Sequence, residues 1–173
     1  MFATIYLPDF YLQAALRHQP QWQDKPVALI DDQEKKAIIV QLNAAAERLG
    51  VRRGMTPSQG LARSLQLVVK TRISSQEKLL QEILLHFAGT LSPYVEATEA
   101  GLATVQFTDT KNLKQAVTRV IAQLTEAEIV AQGGLAATPD ASFLAAHLAK
   151  PVLEIKDPSE FFAALPIETL MMN

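Results

Sequence analysis

The order of apolar periods after residue 71 is the strongest constraint on the fold. Helix and strand patterns follow one another there as α-β-β-α-β-α-β. The first helix is Ser75–Gly89, with Ser74 and Glu77 at capping-box spacing and Leu80, Ile83, Leu84, Phe87 and Leu91 on one stripe. Tyr94–Thr98 and Leu102–Phe107 read as a hairpin turning at Ala100-Gly101. A second helix, Asn112–Leu124, precedes a strand at Glu128–Gly133. Thr138-Pro139 then opens a helix to about Ala149, Val152–Ile155 is a short strand, and Asp157-Pro158 starts a last helix.

An N-terminal strand, Phe2–Leu7, is stopped by Pro8, and Asp9 is placed to cap a helix to about Arg17. Adding this strand makes a ferredoxin-like βαββαβ pattern available. Residues 10–70 then form an elaborate first crossover with its own elements. Pro26–Ile30 and Ala37–Gln41 read as a hairpin, Ala44–Leu49 as a helix capped by Asn43, Thr56-Pro57 as the start of another, and Leu65–Lys70 as a strand. The expected fold is α+β with two lobes, one of them discontinuous in sequence.

Charge separates the same lobes. The net charge is −2, so the chain as a whole is not a basic nucleic-acid binder. Between Lys35 and Arg72, however, stand eight basic residues and one acid, Glu47. That stretch carries +7 over 38 residues, and the remainder carries −9. Such a segment points either to a localised polyanion contact or to a solvated subdomain surface.

Most chemical motifs are missing. The chain has no cysteine, which excludes disulfides, thiolate metal sites and a thiol nucleophile. Dinucleotide and mononucleotide loops, HExxH and GxSxG are absent. His18, His86 and His147 are isolated and read as structural or exposed. Gly133-Gly134 reads as a bulge or tight turn at a strand end. Asp31-Asp32 has the look of a metal pair but sits in turn chemistry. No apolar run reaches the ~18 residues of a membrane span, and the N-terminus has no basic segment of a secretory signal, so a cytoplasmic protein is the default.

Several segments resemble the Y-family (translesion, DinB/UmuC-like) DNA polymerases, in the family's order. Leu42–Met55, LNAAAERLGVRRGM, resembles A-x-Y-E-A-R-K-x-G-V-x-x-G-M, and Thr56–Leu61 resembles the helix after it. Pro20 followed by Lys25-Pro26-Val27-Ala28 is similar to N-P-x-L-x-G-K-P-V-x-V. Ser92-Pro93-Tyr94-Val95-Glu96 resembles the S-P-x-V-E before the catalytic hairpin, and Ala149-Lys150-Pro151 resembles the A-K-P closing a later helix.

The resemblance implies a palm of residues 1–9 and 73–165 with a fingers subdomain, 10–72, inserted after the first strand. It implies continuation into a thumb, with 166–173 as the start of a truncated thumb connection. It also implies a DNA partner, contacted by Arg48, Arg52, Arg53, Arg63, Lys70 and Arg72.

Departures from the family concern its chemistry. Polymerases of this kind cluster carboxylates around two Mg²⁺ ions ~3.5–4 Å apart. The family's first acidic pair falls here on Tyr6 and Pro8, and the second on Glu99 and Ala100. Only Asp9 and Glu99 are left as weak metal candidates. The triphosphate-binding Tyr and Arg fall on Ala44 and Glu47, the latter a charge reversal. Lys150 matches a phosphate-binding Lys, and Tyr11 matches the ring that screens the sugar 2′ position.

These losses resemble the ImuB-like branch, as do Leu7-Pro8 and Arg52-Arg53-Gly54-Met55. That branch implies a non-catalytic, cofactor-free bacterial adaptor in damage-induced mutagenesis, nucleoid-associated, that works with the replication sliding clamp and an error-prone partner polymerase. Two alternatives stay open. One is a divergent active translesion polymerase using Mg²⁺ with Asp9 and Glu99. The other is a ferredoxin-like ligand- or protein-interaction module unrelated to DNA.

Overall fold

The computed structural model describes residues 1–31, 37–109 and 111–165. The chain forms two compact units, one of residues 1–7 and 84–173 and the other of residues 8–83.

The first unit is built on a five-stranded sheet of order β5-β6-β1-β7-β8. Its strands are β1 (Phe2–Tyr6), β5 (Val95–Glu96), β6 (Leu102–Gln106), β7 (Gln132–Ala136) and β8 (Val152–Glu154). β1 lies in the middle and pairs antiparallel with both β6 and β7. The first four strands therefore have the ferredoxin-like arrangement, and β8 adds to β7 in parallel. The alternating pattern of β1 buries Ala3 and Ile5 on one face and Thr4 on the other.

Helices α5 (Leu113–Glu126) and α6 (Pro139–Leu148) belong to this unit. α5 buries Val117, Val120, Ile121 and Leu124, the stripe its sequence spacing requires. α6 is opened by the Thr138 side chain, which accepts from the Ala141 N–H, with Pro139 at the first position. α7 (Pro158–Ala164) is capped by Asp157, whose carboxylate accepts from the Ser159 and Glu160 N–H groups.

The strand expected at Glu128–Gly133 lies four residues later. Glu128 takes a left-handed turn at φ 59° as α5 closes, and the ladder begins only at Gln132. Gly133 and Gly134 are consequently inside β7 and not at a turn. A Cβ on Gly133 would stand 2.7 Å from Val117 Cγ1 of α5. On Gly134 it would overlap the α6 backbone at Ser142 and Ala146. Glycine at 134 lets that helix touch the strand backbone to backbone. Beside this contact Ser142 Oγ is 2.8 Å from Thr4 Oγ1, which is 3.3 Å from Thr104 Oγ1, a buried hydroxyl network.

The second unit carries a three-stranded sheet of order β3-β2-β4: β2 (Val27–Asp31), β3 (Ile38–Leu42) and β4 (Val68–Thr71). β2 and β3 form the expected antiparallel pair, and β4 joins β2 in parallel. α1 (Phe10–Leu16), α2 (Ala44–Arg48) and α3 (Pro57–Arg63) complete it. Asn43 caps α2 through the Ala46 N–H, and Thr56 with Gln59 closes a full capping box on α3. Leu12, Ala15, Val27 and Leu29 make one buried cluster, and Ala28, Ile39, Ala46, Val51 and Leu67 a second. β4 starts three residues later than its pattern suggests, because Leu65 is 93% exposed and precedes the ladder.

α4 (Ser74–Gly89) begins at Ser74 itself, so Ser74 is a helical residue and not the expected cap. Glu77 turns its carboxylate to Arg72.

Candidate nucleotide and nucleic-acid sites

In the first unit, β1 ends beside the turn that precedes β6. Tyr6 is in register with Leu102, and the Leu7 N–H donates to Gly101 O at 2.8 Å. Gly101 makes the turn at φ 78°. Position 6 and the Glu99-Ala100 turn are thus neighbours, as two halves of a metal site would need to be. Their chemistry is different. The Tyr6 ring stacks on His147 of α6, with centroids 4.0 Å apart and planes 24° from parallel. Phe143, one turn earlier, packs against the same imidazole at 4.3 Å, and its carbonyl is 2.9 Å from His147 Nδ1.

Glu99 and Ala100 are exposed, and the Glu99 carbonyl accepts from Leu102 N–H at 3.0 Å. Lys150 is exposed at the end of α6, before the cis bond to Pro151. In the sequence His147 has no acid at i±4. Its aromatic partner at i−4, Phe143, was the signal available in the sequence.

In the second unit Pro8 and Asp9 lead into α1. The Pro8 carbonyl accepts from Gln13 Nε2 at 2.6 Å. Asp9 stands at the N-cap position but in the left-handed region, φ 48°, and its side chain caps nothing. Its carboxylate accepts from Arg53 at 3.0 Å. The two expectations for Asp9, helix cap or metal ligand, meet an ion pair in this structure. No three His, Asp or Glu side chains cluster as a metal site among the described residues. Tyr6, Pro8, Glu99 and Ala100 offer one carboxylate in total, so this set does not fit the oxygen-rich ligation that Mg²⁺ demands.

Asp9, Leu42, Ala44, Glu47, Arg52 and Arg53 line a cleft of about 490 Å³. Its two guanidinium groups are engaged. Arg53 holds Asp9, and Arg52 donates to the Glu47 and Val51 carbonyls at 2.7 and 2.8 Å. The Glu47 side chain stands exposed in this lining, so the cleft is of mixed charge and poorly suited to a triphosphate.

The remaining basic residues differ in how far they are engaged. Arg48 donates from Nε to Ala44 O at 3.2 Å and is exposed, as is Arg63. Lys70 lies over the Trp22 ring at 4.6 Å. Arg72 is committed within the unit. It forms a two-pronged pair with Glu77, both contacts at 2.8 Å, and a third with Asp31 at 2.8 Å. Its guanidinium also covers the Tyr11 ring at 3.8 Å. The Glu77 hydrogen bonds, outweighing the cost of burial, push the Arg72 pKa above its ordinary range. Asp31, read as turn chemistry, ends β2 and is an ion-pair partner of Arg72; Asp32, Lys35 and Lys36 lie outside the described residues, as do 166–173.

None of the helices among the described residues is long and apolar enough to cross a membrane. The impB/mucB/samB family model matches residues 5–147. The chain is 24% identical over 171 residues to a DNA polymerase IV of Legionella pneumophila and, at the same identity, to one of Ralstonia nicotianae. Each alignment covers 93% of this chain and 48% of the relative, so the chain spans about half the length of the curated relatives it matches. Among solved structures, a post-insertion binary complex of Dbh DNA polymerase superposes with a TM-score of 0.86 at 16% identity, covering 97% of this chain and 52% of the other. DinB from Sulfolobus solfataricus superposes with a TM-score of 0.83 at 16% identity, with the same coverage. The fold is that of the palm and fingers of these polymerases. The chain belongs to the impB/mucB/samB family, the Y-family DNA polymerases, and represents their DinB/UmuC-like N-terminal region.

Proposed function

We propose that this chain is a non-catalytic, polymerase-like adaptor of the ImuB type. In this reading it contacts template DNA in damage-induced translesion synthesis and needs no metal or other cofactor. The palm is residues 1–9 and 73–165, the fingers are 10–72, and 166–173 lead toward a thumb. The replication clamp and an error-prone partner polymerase are engaged through segments the family carries after the palm.

The observation that carries the reading is the Tyr6–His147 stack. In this reading a ring occupies the position at which the family's first strand presents a carboxylate, and His147 of α6 stacks on that ring. The charge reversal at Glu47, in a cleft whose arginines are already engaged, supports the loss of triphosphate binding. Tyr11 and Lys150 are relics of nucleotide binding in this reading. The DNA contacts are assigned to Arg48, Arg52, Arg53, Arg63 and Lys70, while Arg72 is spent on its carboxylates. Membership of the family argues against a module unrelated to polymerases.

The test is calorimetric titration of the folded chain with a deoxynucleoside triphosphate and Mn²⁺, with Glu99→Ala as control. Absence of binding heat is the expected result. Saturable binding that disappears in Glu99→Ala would restore the active-polymerase reading and end this one.

A further inference from the structure

We propose that Trp22, Lys25 and Lys70 form a binding site for single-stranded DNA on the second unit. It rests on the DNA-contacting part of the reading above and adds a location and a strand preference.

The site emerges from a contrast along β4 and the residue that follows it. Lys70 and Arg72 are two residues apart, so they extend to the same side of the strand. Each cation lies over an aromatic ring, Lys70 over Trp22 at 4.6 Å and Arg72 over Tyr11 at 3.8 Å. Arg72 is neutralised by Glu77 and Asp31. Lys70 is not, and a second ammonium, Lys25, stands 4.9 Å from the same Trp22 ring. Neither lysine has an ion-pair partner among the described residues, and the neighbouring Asp24 is exposed and forms none. The ring quadrupole attracts each cation but removes none of its charge. Two like charges gathered at one ring repel each other, and an anion between them relieves that repulsion.

The ring itself is fixed. Trp22 packs on the Leu12, Ala15, Val27 and Leu29 cluster, and its Nε1 is buried without a hydrogen-bond partner. Trp22 as a whole is partly exposed, and the two ammonium groups are what lie over its ring. A fixed aromatic surface flanked by unbalanced ammonium groups is the combination that single-strand binders use. The ring takes an unstacked base, and the cations take the flanking phosphates. Duplex DNA offers phosphates but no free base face.

Trp22 is the only tryptophan of the chain, so its emission reports on this site alone. The experiment titrates the whole chain with a fluorescently end-labelled oligothymidine. Label anisotropy follows binding, and Trp22 emission follows the site. Saturable quenching that tracks the anisotropy is expected. Lys25→Ala/Lys70→Ala should weaken binding at least tenfold. It should flatten the dependence of log affinity on log salt by roughly 1.4, at about 0.7 per phosphate contact. Single Lys→Gln variants are expected to lose about half of that slope each, with circular dichroism melting as the folding control. Binding seen by anisotropy with unchanged Trp22 emission would overturn this site and leave DNA contact elsewhere on the chain. No binding at all would overturn both. Equal quenching by inorganic phosphate, or tighter binding of a duplex of the same length, would overturn the assignment to a single strand.

Discussion

Tyr6 and His147 lie ring on ring, 4.0 Å apart, although one ends a central strand and the other ends a helix far along the chain. Phe143 packs on the same imidazole at 4.3 Å with its plane tilted by 42°, so the contact of Tyr6 ties β1 to an aromatic pair on α6. Truncation at Tyr6 removes the middle strand's share of that stack. Tyr6→Ala is expected to lower stability by about 2–3 kcal/mol in urea denaturation. A loss below about 0.5 kcal/mol would mean the rings are neighbours without being a structural tie.

Helix α6 meets β7 at Gly134 with no room for a methyl group. Gly134→Ala forces helix and strand apart where both are backbone. The expected cost is at least the upper end of the ~1–3 kcal/mol seen for overpacked cores, read as a lowered denaturation midpoint. Gly133→Ala meets the Val117 and Ile121 side chains rather than main chain, so it should cost less than Gly134→Ala, though more than an open site would, because both neighbours are buried and β-branched.

Arg72 joins Glu77 and Asp31 and covers Tyr11. Arg72→Ala takes the cation from the Glu77 carboxylate and one contact from Asp31, and a loss of about 2 kcal/mol is expected. Arg72→Lys keeps the charge but not the fork, and about 1 kcal/mol should go. The guanidinium pKa is raised in the folded state. Its contribution is therefore complete below the ordinary arginine range and fades only as pH rises through the elevated value. Melts across neutral pH should show no slope from this group.

Arg53 and Asp9 are both largely exposed. An exposed pair is worth at most about 1 kcal/mol. Arg53→Glu should leave the melting curve almost in place, and adding Arg52→Glu should lower the midpoint further, because two carbonyls lose their donor. Either variant should lower affinity for DNA of any sequence and flatten its salt dependence. An unchanged affinity would remove these arginines from the interface.

Most of the architecture was legible because it rests on local signals. The caps at Asn43, Thr56, Thr138 and Asp157 announce their helices, and the stripe from Val117 to Leu124 announces the buried face of α5. The misread stretches are those where a distant partner overrides a local pattern. Gly133-Gly134 has the composition of a turn, but it becomes strand because two helices need the space. Glu77 has the spacing of a capping box, but Arg72 captures it. Asp9 stands where a cap belongs, yet its carboxylate meets Arg53, 44 residues away. At the candidate sites, the family resemblance sets Tyr6 where an acid is expected. It does not show that His147 stacks against it, nor that Lys25 and Lys70 converge on Trp22, since those neighbours arise only on folding.

Consecutive glycines in β7 serve opposite sides of the sheet, Gly133 toward α5 and Gly134 toward α6. The strand is therefore thinnest at its centre, and at Gly134 the spacing to α6 is set by main chain, which cannot be trimmed by substitution. It acts as a datum plane for the unit. Side-chain changes in this unit are accommodated outward from it, at exposed helix faces and at the short edge strand β5, while the interval from β7 to α6 is held by main chain.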